Sequence, residues 1–523
     1  MIDPVSALSN VLGAKGWLSG GDVEPYRWDW LRRYGADPLG VARPANTQEV
    51  ARVVEICREA GVAVVPQGGN TGLCGGAVAH EAGAVILSLS RMAAMEKPDL
   101  ASGSIVVEAG VVLSTLHEAL EPHGLVFPMH LGAEGSARIG GLIGTNAGGS
   151  HAMRYGMMQD LVLGLEVVLA DGTVWNGLRS VQKDNAGYQL RKLFCGSEGT
   201  LGIVTRAVLK LFPAPKQRTT ALLTFADCGS AVSFGTYLRG EAGEFLSGLE
   251  FFSDFGLKLV LKHMADLSFP LETRGRVHLL AELASSSARV PLDDILNAAL
   301  EWGMERELVI DGALAMSDAQ RAHFWHLREE QPEGQRLEGQ QLKHDISVPP
   351  GKIAEFIEVG ETICSEILPG VRINPFGHLG DGNIHYNLSP PEGQSDFAGK
   401  ALELGQALAS LATEMGGSFA AEHGLGRSKI VLADTNRSPV ERNLMAVVKD
   451  ALDPSGLMNP GVLISSVRQE KLSNRRDFLI SLCLFNVQVH NGGMLFREFL
   501  HSPRCLFTAI HRPHPPAIEK VDA

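Results

Sequence analysis

The sequence predicts a multidomain α+β protein, and three observations carry that prediction. The chain has 523 residues, well past the roughly 250 at which a single core stops growing, so roughly two to four domain-sized units are expected. Its first half breaks into short apolar runs of strand length separated by glycine-rich loops. Its second half mixes strands with longer runs of helical period.

In chain order, residues 1–34 read as an irregular N-terminal segment. A helix is predicted over 46–60: Asn46 can cap it, Glu49 stands three residues on, Val50, Val53, Val54 and Cys57 fall on one face, and Gly61 ends it. Residues 62–66 form a short apolar strand that empties into a glycine-rich loop. Further strands are expected at 84–89, 104–108 and 161–170, the last turning at Asp171-Gly172 into 173–175. Near Phe212-Pro213-Ala214-Pro215-Lys216 a strand pattern ends in two prolines, which marks a boundary. Beyond it come strands at 278–283 and 371–376 and a helix over 401–415 closed by Gly416-Gly417. The expected units are therefore 1–34, 35–216, 217–417, a segment 418–465 carrying AEHGLGRSK and LDPSGLMNPG, and an atypical tail, 466–523, in which basic residues outnumber acidic ones. No internal repeat of 20–50 residues is present.

Composition narrows the function classes. Apolar residues make up 45% and charged residues 20% of the chain, the ordinary globular mix. A formal net charge of −13 argues against broad nucleic-acid binding, which needs clustered cations to displace phosphate counterions. The opening MIDPVSALSN puts Asp3 where a secretory leader would be basic. The longest late apolar run, 478–489, falls short of the ~18 residues needed to span a bilayer. Seven cysteines (Cys57, Cys74, Cys195, Cys228, Cys364, Cys483, Cys505) are odd in number and form no Cys-x-x-Cys pair. Together these predict a cytoplasmic protein with no transmembrane segment and no structural zinc knot.

Three glycine-rich segments stand out: PQGGNTGLCGG at 66–76, IGGLIGTNAGG at 139–149 and CGSEGTLGIVT at 195–205. None is a Rossmann G-x-G-x-x-G or a Walker G-x-x-x-x-G-K-S/T, which disfavours nicotinamide and ATP as principal ligands. Glycine lets backbone amides close on an anion, and successive N–H groups in a turn form a concave anion site suited to a pyrophosphate. Any one of the loops alone reads equally well as a tight turn.

In this order and spacing, the three segments resemble the vanillyl-alcohol-oxidase-like FAD-binding fold, specifically its D-2-hydroxyacid dehydrogenase branch, which includes D-lactate and D-2-hydroxyglutarate dehydrogenases. The resemblance covers residues 35–464. It implies an FAD-binding domain at 35–216, a substrate domain at 217–417 and a short C-terminal segment at 418–465 that returns to the flavin. It also implies FAD contacts from Gly68, Gly69, Asn70, Thr71, Gly72 and Gly76 in the first loop. The second supplies Gly132, Ser136, Gly140, Gly141, Thr145, Asn146 and Gly149, the third Glu198, Gly199 and Ile203, and the last motif Asn459. Some members of the wider fold attach flavin through a histidine in the first loop. Residues 67–76 contain none, and their only thiol is Cys74, so non-covalent FAD is expected.

The densest chemistry lies in PFGHLGDGNIH at 375–385 and AAEHGLGRSK at 420–429. Two histidines bracket a Leu-Gly-Asp-Gly-Asn turn, so a hairpin would bring His378 and His385 together, with Glu422 arriving from elsewhere. Two imidazoles and a carboxylate with an open position suit Zn²⁺, Mn²⁺ or Fe²⁺ rather than Mg²⁺. Any one of these histidines alone reads as structural. The resemblance implies that His378, His385 and Glu422 bind a divalent metal, zinc or manganese foremost, and that His423 is the catalytic base. Hydride leaves C2 of a 2-hydroxy acid most easily as the hydroxyl loses its proton. A metal stabilises the developing alkoxide, and a histidine of ordinary pKa, about 6.5, accepts the proton.

The substrate carboxylate needs a cation. Arg328 and Lys343 match family substrate-side positions, the first able to form a bidentate fork and the second a point charge; Asn383, inside the turn, is a further donor. In isolation each cation reads as a solvated surface residue. Family members favouring 2-hydroxyglutarate carry a hydroxyl residue four positions after the arginine. This chain has Pro332 there, which leaves a shorter acid such as lactate open. A metal-dependent hydrolase would also use the His-His-Glu-His set but would leave the three loops without purpose. A non-catalytic flavoprotein subunit would need neither metal nor base, and a carbon-chain-joining transferase is the remaining alternative within the fold. Quinone, electron-transfer flavoprotein and cytochrome all stay open as electron acceptor.

Overall fold

Asn46 starts the predicted helix: its Oδ1 accepts the Glu49 amide at 2.9 Å, and the Glu49 carboxylate returns to the Ala45 amide at 2.7 Å. The helix runs Thr47–Ala60 and ends on Gly61 at φ 68°, a left-handed position that costs glycine nothing. This is a computed structural model describing residues 3–465. The tail's apolar run, Cys483 and Cys505 lie outside the described residues.

The segment expected to be irregular contains a helix, Pro4–Gly16. Asp3 caps it by accepting the amides of Val5 and Ser6, Pro4 occupies its first turn, and Leu8 and Leu12 are buried. The apolar stripe is interrupted at Gly13, whose φ of 63° kinks the helix, and that interruption hides the period from the sequence.

Parallel strands Gly40–Ala42, Val85–Ser88 and Val64–Gln67 form the first sheet, edged by antiparallel Trp17–Leu18. Val64–Gln67 delivers the chain into the first glycine loop. A second, antiparallel sheet runs in the order Ser104–Glu108, Ile203–Lys210, Val162–Val168, Val174–Gly177. The turn before its last strand is held by Asp171, which accepts the Thr173 amide at 2.9 Å.

Among the described residues, every strand after Lys216 joins one seven-stranded antiparallel sheet. Its order is Val309–Leu314, Gln217–Phe225, Val277–Ser285, Leu246–Ser253, Arg372–His378, Asn383–Ser389, Asp345–Ser347. Alternate side chains serve opposite faces. Leu223, Phe251 and Leu279 pack with the helices Cys228–Ala242, Leu292–Glu305, Ile353–Ile367 and Ala401–Glu414. Leu222, Phe252, Leu280 and Phe376 pack with Asp254–His263 and Asp318–Glu329. The strands packed with this second helix pair carry the site.

Candidate active site

The hairpin Arg372–His378/Asn383–Ser389 pairs His378 with Asn383 and Phe376 with His385. On its flanks Glu250 pairs with His378, and Asp345 with His385. Because side chains alternate by residue, Glu250, Phe376, His378, Asn383, His385 and Asp345 share one face. The His378 and His385 rings meet edge-on at 5.7 Å.

Glu250 is 1% exposed and divides its carboxylate between two partners. Oε1 lies 2.6 Å from His378 Nδ1, and Oε2 is 3.0 Å from Arg328 Nη2. The Arg328 guanidinium also sits over the Phe376 ring at 5.0 Å. With Nδ1 engaged, His378 turns Nε2 toward Glu422 Oε1 at 3.6 Å. The same Glu422 oxygen accepts the Gly149 amide at 2.9 Å. A Cβ on Gly148 would stand 2.6 Å from it, so a side chain there would push the carboxylate out of this position. One donor atom each from His378, His385 and Glu422 falls within 4.8 Å of the others; Asp345, His385 and His423 form a second such group.

Asp345 is the hub beneath. It accepts Asn383 Nδ2 at 3.0 Å and the backbone amides of Glu422 and His423 at 2.9 Å each. His423 Nδ1 lies 3.6 Å away and Lys429 Nζ 3.7 Å away. Burial pushes the Asp345 carboxyl up, but His423, Lys429, His385 and the backbone donors outweigh it and hold it well below the ordinary range. Glu422 shows the same contest, burial against His378 and His385, and settles at about 2. Burial drives His385 down to about 3, leaving a neutral imidazole with a free lone pair. Burial also opposes charge on His378, yet Glu250 and Glu422 raise it well above its ordinary value. Two buried carboxylates demand positive charge at this point, so the donor set fits a divalent cation.

The predicted loop residues converge on one cleft enclosing about 1050 Å³ out to its open mouth. Gly68, Gly69, Asn70, Thr71, Gly72 and Gly76 line it from the first loop, Gly140, Gly141 and Thr145 from the second, and Glu198, Gly199 and Ile203 from the third. Bare backbone on three sides suits a dinucleotide's phosphates. Gly132, Ser136, Asn146, Gly149 and Asn459 do not line it. The Ser136 carbonyl packs behind Gly69, where a Cβ would meet it at 2.0 Å. Asn146 caps Ile139–Thr145 at φ 50° and accepts the Gln159 amide at 2.9 Å. Asn459 donates to Gly76 O at 2.8 Å and Glu198 O at 2.7 Å, sewing the first loop to the third. The Glu198 carboxylate accepts the Leu425 amide at 2.9 Å and the Gly426 amide at 3.0 Å. Burial raises its pKa to about 7.

Sequence reasoning missed Asp345, Glu250, Lys429, Arg138 and Gly148. Lys429 lies inside a motif singled out for its neighbours and Asp345 stands two residues after Lys343, whereas Glu250 sits in a strand with no local signal. Arg138 brings a cation to the cleft wall. Lys343 stays exposed, with Arg33, Glu333 and Arg336 as its charged neighbours rather than the histidine cluster. Both Asn383 amide hydrogens are engaged, by Asp345 and by Ile346 O at 2.9 Å. What the side chain leaves unpartnered among the described residues is Oδ1, an acceptor. His423 lines the glycine-walled cleft, and its neighbour Glu422 completes the His378–His385 group. Cleft and cluster are therefore contiguous.

Residues 38–177 match an FAD binding domain and residues 214–463 the C-terminal domain of FAD linked oxidases. The fold is that of p-cresol methylhydroxylase, solved with substrate bound, at a TM-score of 0.68 and 17% identity over 88% of this chain and 96% of that one. This is the vanillyl-alcohol-oxidase-like flavoprotein class, and the protein binds FAD. The mitochondrial D-2-hydroxyglutarate dehydrogenase of Bos taurus is 37% identical over 461 residues, 88% of this chain and 82% of that protein. The D-2-hydroxyglutarate dehydrogenase of Xanthomonas citri is 36% identical over 450 residues, 85% and 93% respectively. The chain belongs to the FAD-linked D-2-hydroxyacid dehydrogenases, oxidoreductases acting on a CH–OH group. Among the described residues no helix is long and apolar enough to cross a membrane.

Proposed function

We propose that the protein oxidises D-2-hydroxyglutarate to the 2-oxo acid. On this reading residues 35–216 hold non-covalent FAD, residues 217–417 hold the substrate, and residues 418–465 close over both. The observation that carries it is His423, which lines the flavin cleft while its neighbour Glu422 meets His378 and His385. Bound FAD supplies the acceptor for the hydride leaving C2. A zinc or manganese ion held by His378, His385 and Glu422 supplies Lewis acidity for the substrate hydroxyl.

The chain's own residues divide the remaining work. His423 turns Nδ1 toward Asp345 at 3.6 Å, so Nε2 is the nitrogen left to accept the hydroxyl proton. The buried Asp345 carboxylate orients the ring and stabilises the imidazolium that results. Arg328 keeps Nε unpartnered among the described residues after binding Glu250, and Lys429 adds a second buried cation, so both favour an anionic substrate on this face. The preference for the five-carbon diacid follows the relatives named for it; Pro332, which lacks a donor, predicts a weaker hold on the distal carboxylate than a hydroxyl residue would give.

Anaerobic mixing with D-2-hydroxyglutarate, its L enantiomer, D-lactate and L-lactate, monitored by bleaching of the flavin absorbance, tests the proposal. Fast bleaching by the D diacid is the expected outcome. Faster bleaching by D-lactate would reassign the substrate, and none by any D acid would remove the activity.

A further inference from the structure

A further group of ligating side chains shares no residue with the site above: His117, His130 and Glu134 present one donor atom each within 4.8 Å of one another. His117 sits in the last turn of the helix Leu113–Leu120; His130 and Glu134 bracket the turn before the second glycine segment. The two Glu134 oxygens face different rings, Oε1 at 2.8 Å from His130 Nδ1 and Oε2 at 3.6 Å from His117 Nδ1.

The tautomer of His117 makes this arrangement informative. Its Nε2 lies 3.1 Å from Phe127 O, and a carbonyl can only accept, so Nε2 carries the hydrogen. In the neutral ring Nδ1 is then a bare lone pair facing a carboxylate oxygen. Two acceptors turned on each other need a proton or a metal cation between them, and the third donor on the same carboxylate, His130 Nδ1, favours the metal. A histidine whose outer N–H is fixed by a backbone carbonyl while its inner nitrogen faces a carboxylate is the usual posture of a metal ligand. The ligand–ligand separation in a tetrahedral site is about 3.3 Å for bonds of about 2.0 Å, which the 2.8 and 3.6 Å spacings bracket. Side-chain exposures of 20% for His117, 43% for His130 and 31% for Glu134 leave a solvent path to the centre. The adjoining His151 ring stands edge-on to that of His130 at 5.0 Å.

We propose that His117, His130 and Glu134 form a second divalent transition-metal site, of zinc type, that acts as a structural clamp on the flavin cradle. The ion ties the helix to the turn. Two residues beyond that turn the Ser136 carbonyl backs Gly69 of the first loop, and the His130 carbonyl would stand 2.4 Å from a Cβ on Gly149. Holding the turn therefore holds two of the loops that wall the cleft.

The test uses the full-length, FAD-loaded protein, stripped with chelator, reloaded with Zn²⁺, desalted and assayed for zinc per flavin. Glu134→Gln and His117→Gln are each expected to bind one zinc fewer than the parent. His385→Asn is expected to lose a different zinc, so the two sites are counted independently. In the His385→Asn background Zn²⁺ should raise the melting temperature, and adding Glu134→Gln should abolish the shift. Zinc content equal to the parent in both Glu134→Gln and His117→Gln would overturn the clamp and leave the proposed catalytic site standing. Should one variant fail to fold, the other decides. A loss confined to His385→Asn would identify the second group as a protonated His117–Glu134 ion pair and likewise overturn the clamp.

Discussion

His378 Nδ1 lies 2.6 Å from Glu250 Oε1, a contact between residues 128 positions apart in sequence. Glu250 thereby fixes which imidazole nitrogen faces Glu422 and, through its other oxygen, where Arg328 sits. Glu250→Gln should retain FAD but weaken divalent-metal affinity by roughly 10–100-fold, the usual worth of a partner behind a ligating histidine. Isothermal titration of metal into chelator-treated holoprotein measures it, and unchanged affinity would make Glu250 a packing residue only.

His423→Asn should keep flavin and metal while slowing anaerobic flavin reduction by roughly 10²–10⁴-fold, the range of a positioned general base. His378→Asn should instead lose the metal and weaken substrate binding together with rate. Stopped-flow reduction at the parent rate in His423→Asn would take this residue out of the chemistry.

Gly69 allows no side chain: its Cβ would fall 2.0 Å from Ser136 O, and the obstacle is backbone. Gly69→Val should yield protein without flavin. Purification with stoichiometric FAD, read from the visible spectrum, would show that the loop can move aside.

Cys74 is the one thiol in the first loop and lines the cleft, yet burial pushes it above its ordinary value and Sγ donates to Gly424 O at 3.6 Å. A protonated thiol is a poor nucleophile toward a flavin ring. Acid precipitation should therefore release all FAD into the supernatant, and yellow colour remaining in the pellet would indicate a covalent bond.

Lys262, with His263 and Arg372, holds the Glu338 carboxyl at about 2 against an ordinary 4.5. A depressed carboxylate stabilises the fold above its unfolded value, and that contribution is lost as pH falls from about 4.5 toward 2. Glu338→Gln should lower the melting temperature at pH 7 by roughly 1–3 °C, with the gap from the parent narrowing below pH 4.5. A gap independent of pH would locate the effect in shape rather than charge.

The sequence announced what is local. The helix after Asn46 follows from a cap, an apolar stripe and a terminal glycine. The strand at 104–108 follows from a short run of β-branched residues, and the approach of His378 to His385 follows from a turn of known length. The three glycine segments declared a phosphate-like wall before their convergence could be seen. What stayed hidden depends on pairings across the chain. Glu250 lies in an apolar strand and becomes significant only because that strand pairs with the one bearing His378. Asp345 follows a lysine and a histidine of more obvious chemistry, and its role comes from accepting amides 77 and 78 residues away. The helix Pro4–Gly16 was obscured by one glycine at φ 63°.

The segment bearing Glu422 and His423 is fastened at both ends to different parts of the molecule. Asp345, from the seven-stranded sheet, accepts its first amides, and Glu198, from the third glycine loop, accepts those of Leu425 and Gly426. A ligand that orders the glycine loops thus pre-pays part of the entropy of placing Glu422, and one that grips Glu422 does the same for the loops. Affinities joined in this way are reciprocal: flavin should tighten the metal by the same factor as the metal tightens flavin, so that assembly of the holoenzyme is cooperative.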